Sequence, residues 1–228
     1  MKTPVIETNF QDLNLIKRGK VRDMYDLGEN LLMVATDRIS AFDVVMPDPV
    51  PDKGIILTQI SLYWFEVMKP IIENHVVSAD VNDYPAVCRP YAESLRGRSM
   101  LVKKTEPLPI ECVVRGYISG SGWKSYQESG TVCGITLPPG MQESEKLPEP
   151  IFTPSTKEEL GAHDINIDFE EAAKTIGKEL ALKVRDCHPD LWMMSATRGS
   201  SDTLFETMIS FPSANPWIRA ATLTVCPK

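Results

Sequence analysis

The sequence predicts an α+β protein with antiparallel sheets in two lobes, and three features carry that prediction. Leu13 to Thr36 alternates apolar runs with short polar or glycine-containing turns, the pattern of an antiparallel meander. The stretches 55–72 and 169–185 instead space their apolar residues at helical intervals. Between them, Arg98 to Lys104 reads as a strand that becomes cationic beside Pro107 and Pro109, which sets a lobe boundary near Lys104.

The totals narrow the classes. A chain of 228 residues, 43% hydrophobic and 24% charged, can bury a good core and has the balance of an ordinary globular protein. Its net charge of −7 excludes a nucleic-acid binder with a wholly basic surface, yet leaves room for a small anionic substrate in a local basic pocket. The start has no apolar leader-like stretch and no run reaches the length of a membrane span, so a cytoplasmic location is expected, with no membrane or nucleic-acid partner. Cysteines at 88, 112, 133, 187 and 226 form no CxxC pair, and reduced thiols are expected. The widely separated histidines offer no Cys/His metal cluster.

Taken in order, the first turn places Lys17, Arg18, Lys20 and Arg22 around Gly19. Such a turn can fold over nucleotide phosphates with backbone N–H groups and a point charge, or stay a solvated basic hairpin. It is not a Walker A loop. Thr36 to Asp43 then mixes Asp37, Arg38 and Asp43 with buried-type residues. Those polar groups either pair internally or meet a ligand. Pro47, Pro49, Pro51 and Gly54 make an extended loop. A packing helix follows, with Ile56, Ile60, Trp64, Val67, Met68 and Ile71 on one face, and His75 beyond its end reads as a capping residue.

The chain then reaches its organising stretch, Glu111 to Lys124. A short apolar strand, Cys112 to Val114, delivers Arg115 into a run where Gly116, Gly120 and Gly122 alternate with Ser119 and Ser121, and a helix is expected from about Trp123. Glycines allow close backbone approach, hydroxyls and N–H groups can donate to phosphate oxygens, and Arg115 offers a planar fork. The residues alone fit an anion cradle or a Gly/Ser surface turn. Gly130 to Gly140 is rich in turns, Pro148 to Lys157 has too many prolines for a helix or central strand, and Lys157, His163, Asp164 and Asn166 form a second polar cluster. The last helix has Asp168 as its N-cap.

Gly19 to Asp23, Thr36 to Asp43, Val113 to Lys124, and Pro148 to Lys157 with His163-Asp164 closely resemble the SAICAR synthetase family, in order and at family-like spacing. The resemblance implies a two-lobed fold related to ATP-grasp and kinase-like proteins. It also implies a ligase of purine biosynthesis that joins carboxyaminoimidazole ribonucleotide to L-aspartate with ATP and Mg²⁺, giving SAICAR, ADP and phosphate. Under it, residues 1–104 form a β-rich nucleotide-binding lobe and 105–186 a partial substrate-binding lobe. Lys20, Arg22, Lys103 and Glu111 are expected at ATP, and Asp43, Arg115, Ser121, Lys124, Lys157, His163 and Asp164 at the other substrates. The catalytic roles fall to Arg115 and Lys20.

After about Arg185 the chain departs from the family, whose pattern continues with Asp-Thr-Lys-Phe-Glu-Phe-Gly and a later Asp-Glu…Thr-Pro-Asp-Ser-Ser-Arg-Phe-Trp segment bearing the Mg²⁺ carboxylates. On this reading neither is present, no metal ligand is assigned, and 187–228 is an aberrant, poorly ordered tail with at most one short strand at Leu223 to Cys226. The alternative function is then a truncated or frameshifted non-catalytic fragment that retains nucleotide or ribonucleotide binding.

Overall fold

The computed structural model describes residues 3–41, 44–70, 73–156, 165–186, 205–211 and 218–226. It divides into two compact units, Met1–Glu66 with His75–Thr105, and Val67–Asn74 with Glu106–Lys228. The architecture is α+β, with antiparallel sheets in both units.

The first unit contains the expected meander: β1 (Asn14–Arg18), β2 (Arg22–Asp26) and β3 (Asn30–Ala35). A small hairpin of β4 (Ser40–Ala41) and β5 (Val44–Val45) precedes α1 (Lys53–Met68). β6 (Val76–Ser78), the short α2 (Ala92–Leu95) and β7 (Ser99–Lys103) follow. The sheet runs β1-β2-β3-β7-β6. Its register sets Tyr25 opposite Leu32 and Leu32 opposite Leu101. Period-two alternation therefore sends these residues to one face, where they pack with Phe10, Leu13, Tyr84 and Leu95.

α1 begins two residues earlier than its apolar pattern suggests, at Lys53, and buries Trp64, Phe65 and Met68. Ile56, expected on the core face, is 56% exposed, and the fully covered positions of its first turns are the small Gly54 and Thr58. Close approach explains the exchange. A Cβ on Gly54 would lie 2.3 Å from Ala35 O, so the helix start has no room there for a larger residue. His75 is buried, with its ring edge-on to Phe65 at 5.4 Å, and its carbonyl accepts the Lys103 amide.

In the second unit β8 (Thr105–Tyr117) leads into α3 (Gly120–Ser129), the hairpin β9 (Thr131–Val132) and β10 (Ile135–Thr136), and then β11 (Lys146–Thr156). α4 (Phe169–Ile176), α5 (Lys178–Asp186), β12 (Phe205–Phe211) and β13 (Ile218–Cys226) complete the described elements. β8 runs through Pro107 and Pro109 instead of stopping at them. Both precede Ile110, where the pairing with β11 begins, so neither position owes that ladder an amide. β11 accommodates its prolines by lying at the edge of the sheet β11-β8-β13-β12 and by an irregularity between Lys146 and Ile151.

Three boundaries differ from the sequence reading. α3 starts at Gly120 rather than Trp123. Gly177, at φ +90°, splits the expected single helix into α4 and α5, while Asp168 caps α4 as anticipated by accepting the Glu171 amide at 2.8 Å. The tail also holds more strand than the single short one expected at Leu223 to Cys226: β12 and β13 pair from Phe205–Val225 to Phe211–Arg219, and β13 lies beside β8. A strand period was there to be read. Phe205, Thr207, Ile209 and Phe211 alternate with Glu206, Met208 and Ser210, and β13 is rich in β-branched residues.

Candidate functional site

In the second unit the site is built around Arg115 near the end of β8. The side chain is only 9% exposed. Its Nε donates to Thr153 Oγ1 at 3.1 Å, Nη2 to Ser121 Oγ at 3.0 Å, and Nη1 to Ser119 O at 3.4 Å. Thr153 is delivered by β11, which sets it opposite Val113, two register positions from Arg115 and on the same face, and its hydroxyl in turn donates to Val113 O. Ser121 and Ser119 come from the head of α3, where Ser119 occupies the N-cap position without a side-chain capping bond. Strand, neighbouring strand and helix start thus fix one guanidinium from three sides. Donors remain to spare on it among the described residues.

Gly122 completes this arrangement. A Cβ there would meet Arg115 Cδ and Nε at 3.3 Å, so the glycine makes space for the guanidinium stem. Ser121 Oγ also contacts Asn166 Oδ1 at 3.5 Å, and Asn166 Nδ2 reaches Ser125 Oγ at 3.4 Å. A positive side chain beside the N-terminus of a ten-residue helix favours an anion, because the helix dipole and the Arg charge act in the same direction. Burial pushes the neighbouring Cys133 thiol up to about 11, with Arg115 drawing it down and Asp168 opposing that. It is a free thiol, as are Cys88 and Cys112.

The first unit holds a separate basic feature. The β1–β2 turn is closed by the Gly19 amide donating to Arg22 O at 2.7 Å. Arg22 lines a pocket with Lys53, Thr58, Ser61 and Arg98, on the sheet face opposite the Tyr25 core. Burial, and then the charge of Arg22, holds Lys53 below the ordinary lysine range; Arg38 adds to the effect and Asp37 opposes it. An anion in the pocket would relieve that crowding of like charge.

The Asp37-Arg38 corner resolves as internal pairing, although not with each other. Asp37 binds Arg98 at 2.9 Å and accepts the Gly54 and Val5 amides. Arg38 binds Asp23 at 2.8 Å. Arg18, one of the turn cations, is also engaged, with Glu7 and Thr8 O.

The structure brings only part of the expected site set together. Arg115 and Ser121 touch, while Lys124, farther along α3, is exposed. Glu111 lies opposite Ser155 on the same strand face as Arg115 but about 13 Å away along β8. Lys20 and Arg22 share the turn; Lys103 pairs with Asn30 whereas Arg22 pairs with Ala35, so the two lie at opposite ends and on opposite faces of the sheet. Asp43, Lys157, His163 and Asp164 lie outside the described residues. Thr153 and Lys53 were given no role by the sequence reading. Their only signals are a hydroxyl inside a proline-rich strand and a Lys-Gly pair after a proline loop.

Comparison with known proteins identifies the family. The SAICAR synthetase family model matches residues 15–197. The chain belongs to the SAICAR synthetase family. A phosphoribosylaminoimidazole-succinocarboxamide synthase from Desulfosudis oleivorans is 69% identical over 186 residues, which cover 82% of this chain and 64% of that protein. One from Pelobacter propionicus is 63% identical over 82% of this chain and 63% of its own length. The chain therefore spans less than two thirds of these curated relatives. A SAICAR synthase from Saccharomyces cerevisiae complexed with SAICAR superimposes with a TM-score of 0.80 at 35% identity, covering 98% of this chain and 76% of that one. A SAICAR synthetase in complex with ADP, at 21% identity and a TM-score of 0.65, shares the fold.

The departure from the SAICAR synthetase pattern is narrower than expected. Asp202-Thr203-Leu204-Phe205-Glu206 keeps Asp, Thr, Phe and Glu in the order of Asp-Thr-Lys-Phe-Glu. Among the described residues no three His, Cys, Asp or Glu side chains converge to hold a metal ion. No helix among the described residues is long and apolar enough to cross a membrane.

Proposed function

We propose that the chain carries the chemistry of an ATP-dependent carbon–nitrogen ligase that condenses carboxyaminoimidazole ribonucleotide with L-aspartate. The observation that supports this best is the Arg115 fork, held by Thr153 and Ser121 at the head of α3 within the segment that matches the family. The SAICAR bound to the yeast relative makes a ribonucleotide the natural occupant of such a cradle.

In this reading Arg115, Ser121 and Lys124 bind the phosphate or carboxylate of the ribonucleotide. Lys20 and Arg22, joined by Lys53, neutralise ATP phosphates, and Lys103 and Glu111 serve the nucleotide from outside that cluster. Asp43, Lys157, His163 and Asp164 are assigned to the imidazole and aspartate. The substrate carboxylate oxygen attacks the γ-phosphorus and ADP leaves. The aspartate amine then attacks the acyl carbon, phosphate departs and the nitrogen loses a proton. Such a reaction needs positioned charges more than a protein nucleophile, which fits a site made of Arg, Lys and hydroxyls. The substrates are small molecules of the cytoplasm.

A coupled assay for ADP release decides the matter. ADP release dependent on both aspartate and the ribonucleotide is expected. A folded sample that binds SAICAR or ADP without turnover would instead establish the non-catalytic reading.

A further inference from the structure

Arg38 is the most heavily used buried cation of the first unit, 6% exposed, and it serves the Gly19 turn rather than its own neighbours. Its Nη2 donates to Gly19 O at 2.8 Å, its Nε to Lys20 O at 3.0 Å, and its Nη1 to Ile6 O. Asp23, fully buried, anchors the same guanidinium at 2.8 Å and is itself bound by the amide and hydroxyl of Thr8. Two consecutive carbonyls at the tip of the turn are therefore pulled toward one buried group.

In a planar trans peptide the C=O and the following N–H point in opposite directions. Fixing the carbonyls of Gly19 and Lys20 on Arg38 consequently aims the N–H groups of Lys20 and Val21 away from it. Adjacent amides held in parallel make an anion-binding concavity. Gly19 permits it, since its backbone lies so close that a Cβ would stand 3.2 Å from Arg22 O. We propose that Arg38 is a positioning residue, which holds the Lys20 and Val21 amides ready for the terminal phosphates of a nucleoside di- or triphosphate. This rests on the ATP reading above and adds the residue that shapes the turn. Arg38 touches no ligand itself.

The test is nucleotide binding by the full chain, wild type and Arg38→Lys, with ADP, AMP and inorganic pyrophosphate, alongside amide shifts read by NMR. In the wild type the Lys20 and Val21 amides should shift with ADP and with pyrophosphate, and far less with AMP. Lysine cannot hold two carbonyls and a carboxylate at once, so Arg38→Lys should weaken ADP about tenfold or more while AMP changes less than about twofold. The KM for ATP should rise and that for the ribonucleotide should not. Equal weakening of ADP and AMP, the mark of general structural damage, overturns the proposal, as does unchanged ADP affinity. Should Arg38→Lys fail to fold, the wild-type spectra decide. ADP bound with the two turn amides unmoved overturns the Arg38 inference alone, whereas a wild type that binds no ADP overturns the ATP reading beneath it.

Discussion

Arg115 Nη2 donates to Ser121 Oγ at 3.0 Å, so a strand end and a helix start are tied by one bond across the turn between them. The bond leaves the guanidinium in a fixed plane, which is what two-point recognition of a phosphate or carboxylate requires. Lysine at 115 would keep the charge and lose the plane, since a point charge cannot serve Thr153 and Ser121 together. Arg115→Lys should weaken SAICAR binding about tenfold or more, in line with about 1.5–3 kcal/mol for hydrogen bonds to charged groups. ADP affinity should stay within about twofold. Calorimetric titration of both ligands checks this, and SAICAR binding that survives intact would remove Arg115 from the cradle.

Gly122 tests the same geometry without touching a charge. Helix propensity alone would favour alanine by about 1 kcal/mol. The new methyl would press on Arg115 Cδ and Nε at 3.3 Å, so that gain should not be realised. Gly122→Ala is expected to show no increase in Tm and a several-fold loss of SAICAR affinity. A higher Tm with unchanged binding would mean that Arg115 can move aside freely.

How far the sequence leads is visible in these residues. The meander, the Asp168 cap and the Arg115–Ser121 contact all follow from local rules: turns between apolar runs, a side-chain acceptor before a helix, glycine beside hydroxyl and Arg. The choice of Arg98 for Asp37, of Asp23 for Arg38 and of Thr153 for Arg115 does not. Each partner is separated by many residues and is selected by sheet register, which one chain's pattern leaves open. The same limit hid the first turns of α1. Gly54 and Thr58 are covered and Ile56 is not, because contact with Ala35 rather than hydrophobicity decides which side faces in. The other tail strand, β12, has its own period in the sequence, Phe205, Ile209 and Phe211 at alternate positions, which no family pattern is needed to see.

Gly54→Ala tests how tightly α1 is seated. The added Cβ would lie 2.3 Å from Ala35 O and 2.9 Å from Arg98 Nη1, and backbone cannot yield as a side-chain tip can. Overpacking typically costs about 1–3 kcal/mol, which outweighs the helix preference for alanine. A marked fall in the denaturant midpoint is expected, with weaker ADP binding, since Lys53 and Arg98 line one pocket. An unchanged midpoint would show that the helix start shifts at little cost.

Asp37 should dominate the acid side of the stability profile. Burial alone would raise its carboxyl, but hydrogen bonds from Arg98 and from the Gly54 and Val5 amides, with the Arg98 charge, outweigh it and hold the carboxyl below its ordinary value. The sign follows from linkage: the folded state binds the proton less readily than the unfolded chain, so this contribution is complete above the ordinary carboxylate range, about pH 4. It is lost as pH falls through the lowered folded value. Replacement by asparagine keeps an acceptor for Gly54 but leaves Arg98 buried without its counter-charge. Asp37→Asn is therefore expected to lose about 3–5 kcal/mol at neutral pH, the cost of breaking a buried pair. Its acid limb should be shallower than the wild type's by up to about 1.4 kcal/mol per pH unit where Asp37 titrates. Urea unfolding at a series of pH values from neutral down to about pH 3 measures both. Equal acid slopes in the two proteins would assign acid sensitivity to other carboxylates and leave the Asp37–Arg98 pair with a packing role alone.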